Sequence, residues 1–272
     1  LDIPNLGRWR PLRPWYFPWL VQAWLRKYPQ PFVFSLERQW RQDLLRAGDG
    51  IHAEWLQRRR PLRNGLLNTL TSVSPYHRLT MMGERRAYHP ERTLWVLANS
   101  GFVKEQIVSR FGFPAGRVEV IHNGVDLCEW SAEPDPWLRA RLGLAPDAAV
   151  GLFVGTGWER KGLSEALDAL GAWADKSGRP AHLAVAGRGP QRRYAGPNVT
   201  FFGAVDHADL GRFYRGADFL LLPTWYDPFA NVTLEALASG LPVITTRTNG
   251  AAEILADGID EYLGGAVGAR GD

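Results

Sequence analysis

Cysteine is almost absent from this chain of 272 residues, and long apolar runs are absent altogether. The one cysteine, Cys128, has no partner for an internal disulfide, which excludes a disulfide-stapled secreted scaffold and favours a reducing compartment. No apolar run approaches the roughly 20 residues that a transmembrane helix requires. We therefore expect a globular, cytoplasmic protein with a large core, in one domain or two.

Charge is unevenly distributed, although the net charge is only +4. Residues 1–120 contain 19 Lys and Arg against 9 Asp and Glu, whereas residues 121–272 contain 13 against 19. A basic half indicates an anionic partner (nucleic acid, a membrane surface or a phosphorylated substrate), with a solvated arginine-rich surface as the alternative. Nucleic acid has charge alone in its favour, since the sequence contains no recognised binding module, and we expect no nucleic-acid partner.

Strand-like and helical patterns alternate in the first half of the chain. The start is rich in Arg, Trp and Pro, a composition that suits either a membrane interface or packing into the domain. Because prolines interrupt it, we expect a helix only from about Trp19. The expected strands are 31–35, 94–99 and 117–124, and the expected helices are Leu36–Ala47, Ile51–Leu66 and the stretch that Ser100 can cap.

The second half predicts a doubly wound parallel sheet of the Rossmann type. The strand candidates are 149–157, which runs into a glycine turn, 181–187, 199–203, 218–223 and 242–246, and the helices are near 163–173, 207–217 and 231–239. Ligands of such sheets bind beyond the carboxyl ends of the strands. The loops GTGWERKG, GRGPQRRY, PTWYDPFAN and TTRTNGAAE should therefore open onto one edge.

Two carboxylates, Asp227 and Glu235, flank a helix start that Asn231 can cap. Amides at a helix start attract phosphate, so Phe229, Ala230 and Asn231 are candidates to bind one. A carboxylate beside a diphosphate is repelled by it and should contact sugar hydroxyls instead, with ribose on one side and a hexose on the other. The alternative is that Glu235 decorates a helix and Asp227 caps a turn, because this spacing alone is a weak signal.

A glycine turn followed by two cations forms the second candidate element. Gly155 and Gly157 let the chain turn tightly after a buried strand. Arg160 and Lys161 can then neutralise a diphosphate and stabilise it as a leaving group. Two cations at a helix start oppose the helix dipole, which favours a functional explanation for them. Because the sequence shows no metal-binding motif, we expect fixed cations to balance the diphosphate.

Three segments, FVGTGWERKGL, VIHNGVD and DPFANVTLEALASGLPVITT, together resemble family 4 of the retaining glycosyltransferases, and within it the lipopolysaccharide core glucosyltransferase group. The resemblance runs from about Phe32 to Leu263. It implies a GT-B fold with an incomplete acceptor-side Rossmann-like domain at 1–124, a linker at 125–147 and a nucleotide-sugar domain at 148–272. The family begins with a strand and a glycine-rich loop and ends with further helices, so we expect a chain truncated at both ends.

By this resemblance, Arg160 and Lys161 bind the diphosphate, Glu235 binds the ribose, and Asp227 faces the donor sugar where the family has Glu. The shorter Asp leaves the identity of the sugar open. The implied reaction moves a hexose from a nucleotide sugar, with UDP as the expected nucleotide, to a cell-envelope glycan, glycolipid or lipopolysaccharide acceptor. It retains the anomeric configuration, needs no metal or other cofactor, and passes through an oxocarbenium-like state that is stabilised electrostatically.

The acceptor side should include the loop GDGIHAEWL, with Asp49 and His52 as candidate residues. A lone histidine is more often structural, so both interpretations of His52 stay open. The basic first half suits a peripheral contact with the inner face of the cytoplasmic membrane. The alternative to an enzyme is a non-catalytic nucleotide-sugar-binding or glycan-binding remnant, which the missing glycine-rich loop favours.

Overall fold

The computed structural model describes residues 12–59, 74–130 and 133–255. The chain divides into two compact units, residues 1–122 and 123–272. Each unit is built on a parallel sheet, of four strands in the first and five in the second. Within the described ranges, every helix is too short or too polar to span a bilayer.

The sheet of the first unit has the strand order β1-β2-β3-β4, with all described pairs parallel. Its strands are β1 (Phe34–Ser35), β2 (Gln42–Ala47), β3 (Thr93–Ala98) and β4 (Val118–Val120). Its described helices are α1 (Arg13–Lys27), α2 (His52–Arg59), α3 (Pro75–Ala87) and α4 (Gly101–Phe111), with a 3₁₀ turn at Ala115–Arg117.

Helix α1 begins at Arg13, so the expected start near Trp19 is wrong. Pro14 lies in the first turn, where the missing amide would have had no partner within the helix. Pro18 lies inside the helix and is buried. The Trp15 ring packs edge-on against Trp40, 4.7 Å between centroids. Tertiary packing thus stabilises a helix that continues past Pro18, although a proline at this position is expected to end a helix.

The expected helix Leu36–Ala47 is also wrong, because residues 42–47 form strand β2. Leu45 pairs in register with Val96 of β3, and both side chains are fully buried. Buried and less buried residues alternate at Leu45, Arg46 and Ala47, as in a strand with one buried face. The two adjacent apolar residues Leu44 and Leu45 hide this alternation in the sequence. The backbone hydrogen bonds to β3 therefore decide the structure of this segment.

Other expectations for the first unit are confirmed in part. Strand β3 lies at the predicted place, and the Ser100 hydroxyl accepts a hydrogen bond from the Val103 amide at the start of α4. Helix α2 covers the first part of the expected Ile51–Leu66 helix, and residues 60–66 lie outside the described residues. Helix α3 was not anticipated, since its charged last turns mask the buried positions.

The second unit has the strand order β7-β6-β5-β8-β9, which confirms the predicted doubly wound sheet. Its strands are β5 (Ala149–Val154), β6 (Ala181–Ala186), β7 (Val199–Gly203), β8 (Phe219–Leu222) and β9 (Val243–Thr245). Its described helices are α5 (Trp137–Leu142), α6 (Trp158–Lys161), α7 (Leu163–Ser177), α8 (His207–Gly216) and α9 (Asn231–Ala238), with 3₁₀ turns at Leu127–Glu129, Gln191–Arg193 and Gly250–Ile254.

The central strand β5 is buried along its whole length. Val150, Leu152 and Val154 belong to the apolar cluster on one face of the sheet, whereas Ala149 and Phe153 belong to the cluster on the other face. A strand buried on both faces reads as a continuous apolar run, which is why the sequence predicts it well.

The segment 125–147, expected to be a linker, contains helix α5 and contributes to the core of the second unit. Leu138 is fully buried and Trp130 is 8% exposed. An alanine side chain at Gly216 would place its Cβ 2.5 Å from the Leu138 Cβ, so α5 and the end of α8 pack closely. Apolar residues between the prolines thus fold onto the sheet.

Candidate functional site

The candidate site of the second unit lies where its strand order reverses. From β5 the chain continues to β6 and β7 on one side of the sheet, whereas β8 and β9 lie on the other. The loop after β5 carries Gly155, Gly157 and helix α6, and the loop after β8 leads to helix α9. Both loops leave the carboxyl ends of parallel neighbours, the usual place for ligands in such sheets.

Asp227 is the centre of a charged cluster at this edge. Its Oδ2 accepts hydrogen bonds from Arg160 Nη1 at 2.9 Å and from Lys161 Nζ at 3.3 Å. Asp227 is 6% exposed, and Arg160 Nη1 also donates to the Tyr226 carbonyl at 2.8 Å. Two cations thus share one carboxylate, and an excess positive charge lies at the sheet edge.

Lys161 is the most constrained cation of the cluster. Burial lowers the pKa of its ammonium group, and the positive charge of Arg160 acts in the same direction. The negative charges of Asp227 and, to a smaller extent, Glu235 oppose this lowering of the pKa. The structure therefore brings the predicted basic pair and Asp227 into contact and places Glu235 on the helix that follows the Asp227 loop. The binding roles of these residues stay predictions.

Gly155 and Gly157 shape the path of the Lys161 side chain. A Cβ on Gly155 would lie 2.8 Å from Lys161 Cε, so the lysine side chain crosses directly over this glycine. Gly157 has a φ of 71° and immediately precedes helix α6. Both glycines therefore allow Lys161 to fold back onto the end of β5.

The sequence predicts that Asn231 caps helix α9, and this prediction is wrong. The residue before the helix is Ala230, and no side chain of that residue caps the helix. Asn231 Oδ1 instead accepts a hydrogen bond from Asn123 Nδ2 at 2.6 Å. Two of the three expected phosphate-binding amides are also engaged, since Phe229 donates to Asp227 Oδ1 and Ala230 donates to Asn249 Oδ1. An anion would have to displace these partners to use those two amides.

Asn249 is a residue that sequence reasoning missed. It is 1% exposed, and its Oδ1 accepts from the amides of Ala230 and Ala251. Its Nδ2 donates to the hydroxyls of Thr233 and Thr245. One side chain thus ties the start of α9 to β9 and to the loop after it. The only signal was an Asn-Gly pair in a loop predicted to lie at the carboxyl edge.

Glu235 lies on α9 and is half-buried. Its Oε2 accepts a 2.7 Å hydrogen bond from the Tyr214 hydroxyl. Burial, followed by the charge of Glu235, raises the pKa of Tyr214 well above its ordinary value. The Tyr214 hydroxyl therefore stays protonated and remains a hydrogen-bond donor. Glu235 has a specific buried partner and is not simply a solvent-exposed side chain of its helix.

The acceptor-side candidates Asp49 and His52 lie in the first unit. Asp49 lines an open cavity of about 640 Å³ together with Arg13 and Arg38. His52 Nε2 lies 2.8 Å from His77 Nδ1, and the two rings stack. Burial, with the positive charges of His77 and two arginines, lowers the pKa of His52 to about 4. His52 is therefore a neutral imidazole at pH 7.

Glu84 positions the loop that carries these two residues, and sequence reasoning missed it. Its side chain is fully buried and accepts from the amides of His52, at 2.6 Å, and Ala53, at 3.3 Å. Arg38 lies 3.4 Å from Glu84 Oε1 and donates to the Gly50 carbonyl. Across the described ranges, no three His, Cys, Asp or Glu side chains are grouped as a metal site requires.

Two parallel-sheet units, one with a basic pair and carboxylates at its switch point, define a protein of the GT-B class. Comparison of this chain with models of known protein families gives two matches. The model of Glycosyltransferase Family 4 matches residues 2–129, and that of Glycosyl transferases group 1 matches residues 148–268. Each match covers just under half of the chain and together they cover nearly all of it, so the two halves of the chain are similar to these two glycosyltransferase models in turn.

Curated relatives include an uncharacterised glycosyltransferase of Methanocaldococcus jannaschii, 32% identical over 59% of this chain and 44% of that protein. The D-inositol 3-phosphate glycosyltransferase 2 of Catenulispora acidiphila is 32% identical over 60% of this chain and 42% of that protein. The chain thus spans less than half the length of these relatives.

Solved structures show the same fold. WaaG, a glycosyltransferase involved in lipopolysaccharide biosynthesis, aligns with a TM-score of 0.73 at 24% identity, over 92% of this chain and 68% of that one. Anabaena HepE in complex with UDP-glucose aligns with a TM-score of 0.59 at 22% identity, over 84% of this chain and 59% of that one. These likenesses establish the GT-B architecture of the chain.

Proposed function

We propose that this chain transfers a hexose from a UDP-linked sugar to a cell-envelope glycan or glycolipid acceptor, with retention of the anomeric configuration. The observation that carries the proposal is the Asp227 carboxylate shared by Arg160 and Lys161 at the switch point of the second unit. A diphosphate supplies the negative charge that this cluster lacks. The UDP-glucose complex of the HepE relative supports UDP as the nucleotide.

The chemistry assigned to each group follows from its charge. Arg160 and Lys161 stabilise the negative charge that develops on the departing diphosphate, in place of a divalent metal ion. Asp227 faces the donor sugar, and Glu235 accepts hydrogen bonds from ribose hydroxyls. The attacking acceptor hydroxyl arrives on the face from which the diphosphate leaves. The family resemblance supports this stereochemical course.

The acceptor side of the proposal rests on the first unit. Residues 1–120 carry the basic excess, which suits an anionic glycolipid or the inner face of the cytoplasmic membrane. Asp49 and neutral His52 are its candidate groups for the acceptor hydroxyl. The alternative is a remnant that binds nucleotide sugars or glycans without turnover.

The first experiment measures binding and turnover on the full 272-residue chain. Calorimetry with UDP-glucose and GDP-mannose defines the donor, and release of nucleoside diphosphate is then followed with and without a glycolipid acceptor, in chelator and in Mg²⁺. The anomeric configuration of the product is determined by NMR. Binding without turnover would support the remnant, and absence of nucleotide-sugar binding would contradict both.

The matched variants are Lys161→Met and Lys176→Met. Lys161→Met leaves Asp227 paired with Arg160, so no buried carboxylate is orphaned, and we expect affinity for UDP-glucose to fall at least about tenfold. Lys176 is an exposed lysine in the last turn of α7, and its replacement should leave affinity unchanged. If the two variants had equal affinities for UDP-glucose, the charged cluster would not be part of the donor site.

A further inference from the structure

Tyr214 lies near the end of α8 and is fully buried. Its ring packs edge-on against Trp130, 5.4 Å between centroids, in the same apolar cluster as Leu138. From this fixed position its hydroxyl donates to Glu235 Oε2 on α9. The tyrosine therefore ties a half-buried carboxylate to the buried core.

A cation also lies at the loop that leads into the helix of Glu235. Glu235 is on the second turn of α9, the loop before α9 contains Asp227, and Lys161 Nζ lies 3.3 Å from Asp227 Oδ2. A second carboxylate drawn to Lys161 would cancel the excess positive charge of the cluster, because opposite charges attract strongly where water is largely excluded. The hydrogen bond from Tyr214 opposes that movement.

We propose that Tyr214 is a positioning residue that holds Glu235 away from Lys161 and thereby separates ribose recognition from diphosphate binding. The inference rests on the proposed function, in which Glu235 contacts the ribose and Lys161 the diphosphate. With Oε2 engaged by Tyr214, Oε1 is the oxygen that accepts a ribose hydroxyl. The same hydrogen bond keeps Glu235 from pairing with the Lys161 ammonium group, which stays available to the diphosphate.

The test compares the binding of UDP, 2′,3′-dideoxy-UDP and inorganic pyrophosphate to the full chain by calorimetry. We expect the wild-type chain to prefer UDP over the dideoxy analogue by at least about tenfold, because hydrogen bonds to a carboxylate are strong. Tyr214→Phe keeps the ring but removes the donor, so this preference should fall to about twofold or less. Pyrophosphate should bind several-fold more weakly, since Glu235 then pairs with Lys161.

The double variant Tyr214→Phe/Glu235→Ala separates positioning from a merely structural role. With no carboxylate left to reach Lys161, pyrophosphate affinity should return to the wild-type value, whereas structural damage by Tyr214→Phe would persist. Tyr194→Phe is the matched control, because Tyr194 is a buried tyrosine of the same unit that packs against Trp158. It should leave the preference for UDP unchanged.

If Tyr214→Phe fails to fold, Glu235→Asp tests the same contact from the other side. The shorter acid then no longer reaches the Tyr214 hydroxyl, so the preference for UDP over the dideoxy analogue should fall to about twofold or less; an undiminished preference would contradict the inference. A wild-type chain that binds none of the three ligands would overturn the proposed function together with the inference. The inference alone would be overturned if Tyr214→Phe kept the full preference for UDP over the dideoxy analogue. It would also be overturned if the double variant did not recover the wild-type affinity for pyrophosphate.

Discussion

The two units bury their sheets differently. In the second unit all six residues of β5 are buried, and apolar clusters cover both faces of the sheet. In the first unit, β3 exposes 49% of Leu94 and 45% of Trp95, and Phe34 of β1 is 51% exposed. The described apolar cluster of the first unit is built on alternate strand residues, such as Val96 and Ala98.

This difference explains where sequence reasoning succeeded. A strand covered on both faces must be apolar at every position, and such runs are visible in any sequence. A strand covered on one face tolerates charge at alternate positions, as at Arg46 of β2. The β2 segment was therefore mistaken for a helix, whereas all five strands of the second unit were located.

The candidate sites differ in the same way. The Asp227 cluster joins residues from two loops at one sheet edge, which topology could anticipate. The His52 site depends on Glu84, which belongs to a helix that the sequence did not predict. We therefore expect backbone strain to be the most effective way to destabilise the second unit. In the first unit, we expect changes at the buried polar groups to reduce stability.

Gly162→Ala should have the largest effect and should break the second unit. Gly162 has a φ of 77°, and an added Cβ would lie 2.0 Å from the Pro223 carbonyl oxygen. We expect a loss of ~3 kcal/mol or more in the free energy of unfolding. Hydrogen exchange should show β5 losing protection while β3 keeps it.

The matched control for this prediction is Gly171→Ala. Gly171 lies within α7, and nothing lies within 4 Å of an added Cβ. Alanine is the better helix former, so this variant should be as stable as wild type or up to ~1 kcal/mol more stable. If Gly162→Ala were as stable as Gly171→Ala, the packing described at Pro223 would be wrong.

Acidification should weaken the first unit through His52. Its pKa is lowered to about 4 from 6.5, by burial and then by the charges of His77, Arg38 and Arg59. Between these two values the unfolded chain binds more protons, so stability falls as pH is lowered through this window. We expect the unfolding equilibrium constant to rise about tenfold, a value discounted because the ring is partly exposed.

His52→Gln should flatten this pH dependence, as measured by hydrogen exchange of β2 and β3 at pH 7 and pH 5. His89→Gln replaces an exposed histidine of the same unit and should leave the slope unchanged. A slope that is identical in wild type and in His52→Gln would show that His52 is not the titrating group.

Ser100→Ala should have the smallest effect. The Ser100 hydroxyl accepts from the Val103 amide and caps α4, so its loss should cost ~1 kcal/mol of the first unit's stability. Ser109, exposed on the same helix, supplies the control, and its replacement by alanine should be neutral or slightly stabilising. Denaturant unfolding of both variants measures the difference, and equal midpoints would rule out a stabilising cap.

Several residues of the candidate sites could not be recognised in the sequence. Asn249 fills all its hydrogen-bonding positions with groups from three separate elements. Tyr214 reaches Glu235 from 21 positions away, and Glu84 reaches His52 from 32. These contacts follow from how helices are placed on the sheets, and no local pattern encodes that placement.

The sequence by itself determined the parallel sheet of the second unit, the edge at which its loops meet, and the basic pair and carboxylates on those loops. Apolar periodicity and glycine turns act over a few residues, so they can be read directly. Only the tertiary structure decided that Arg160 and Lys161 share Asp227, that Asn249 rather than Asn231 binds the start of α9, and that Tyr214 holds Glu235. Each of these depends on distances between segments remote in the chain, which packing alone sets.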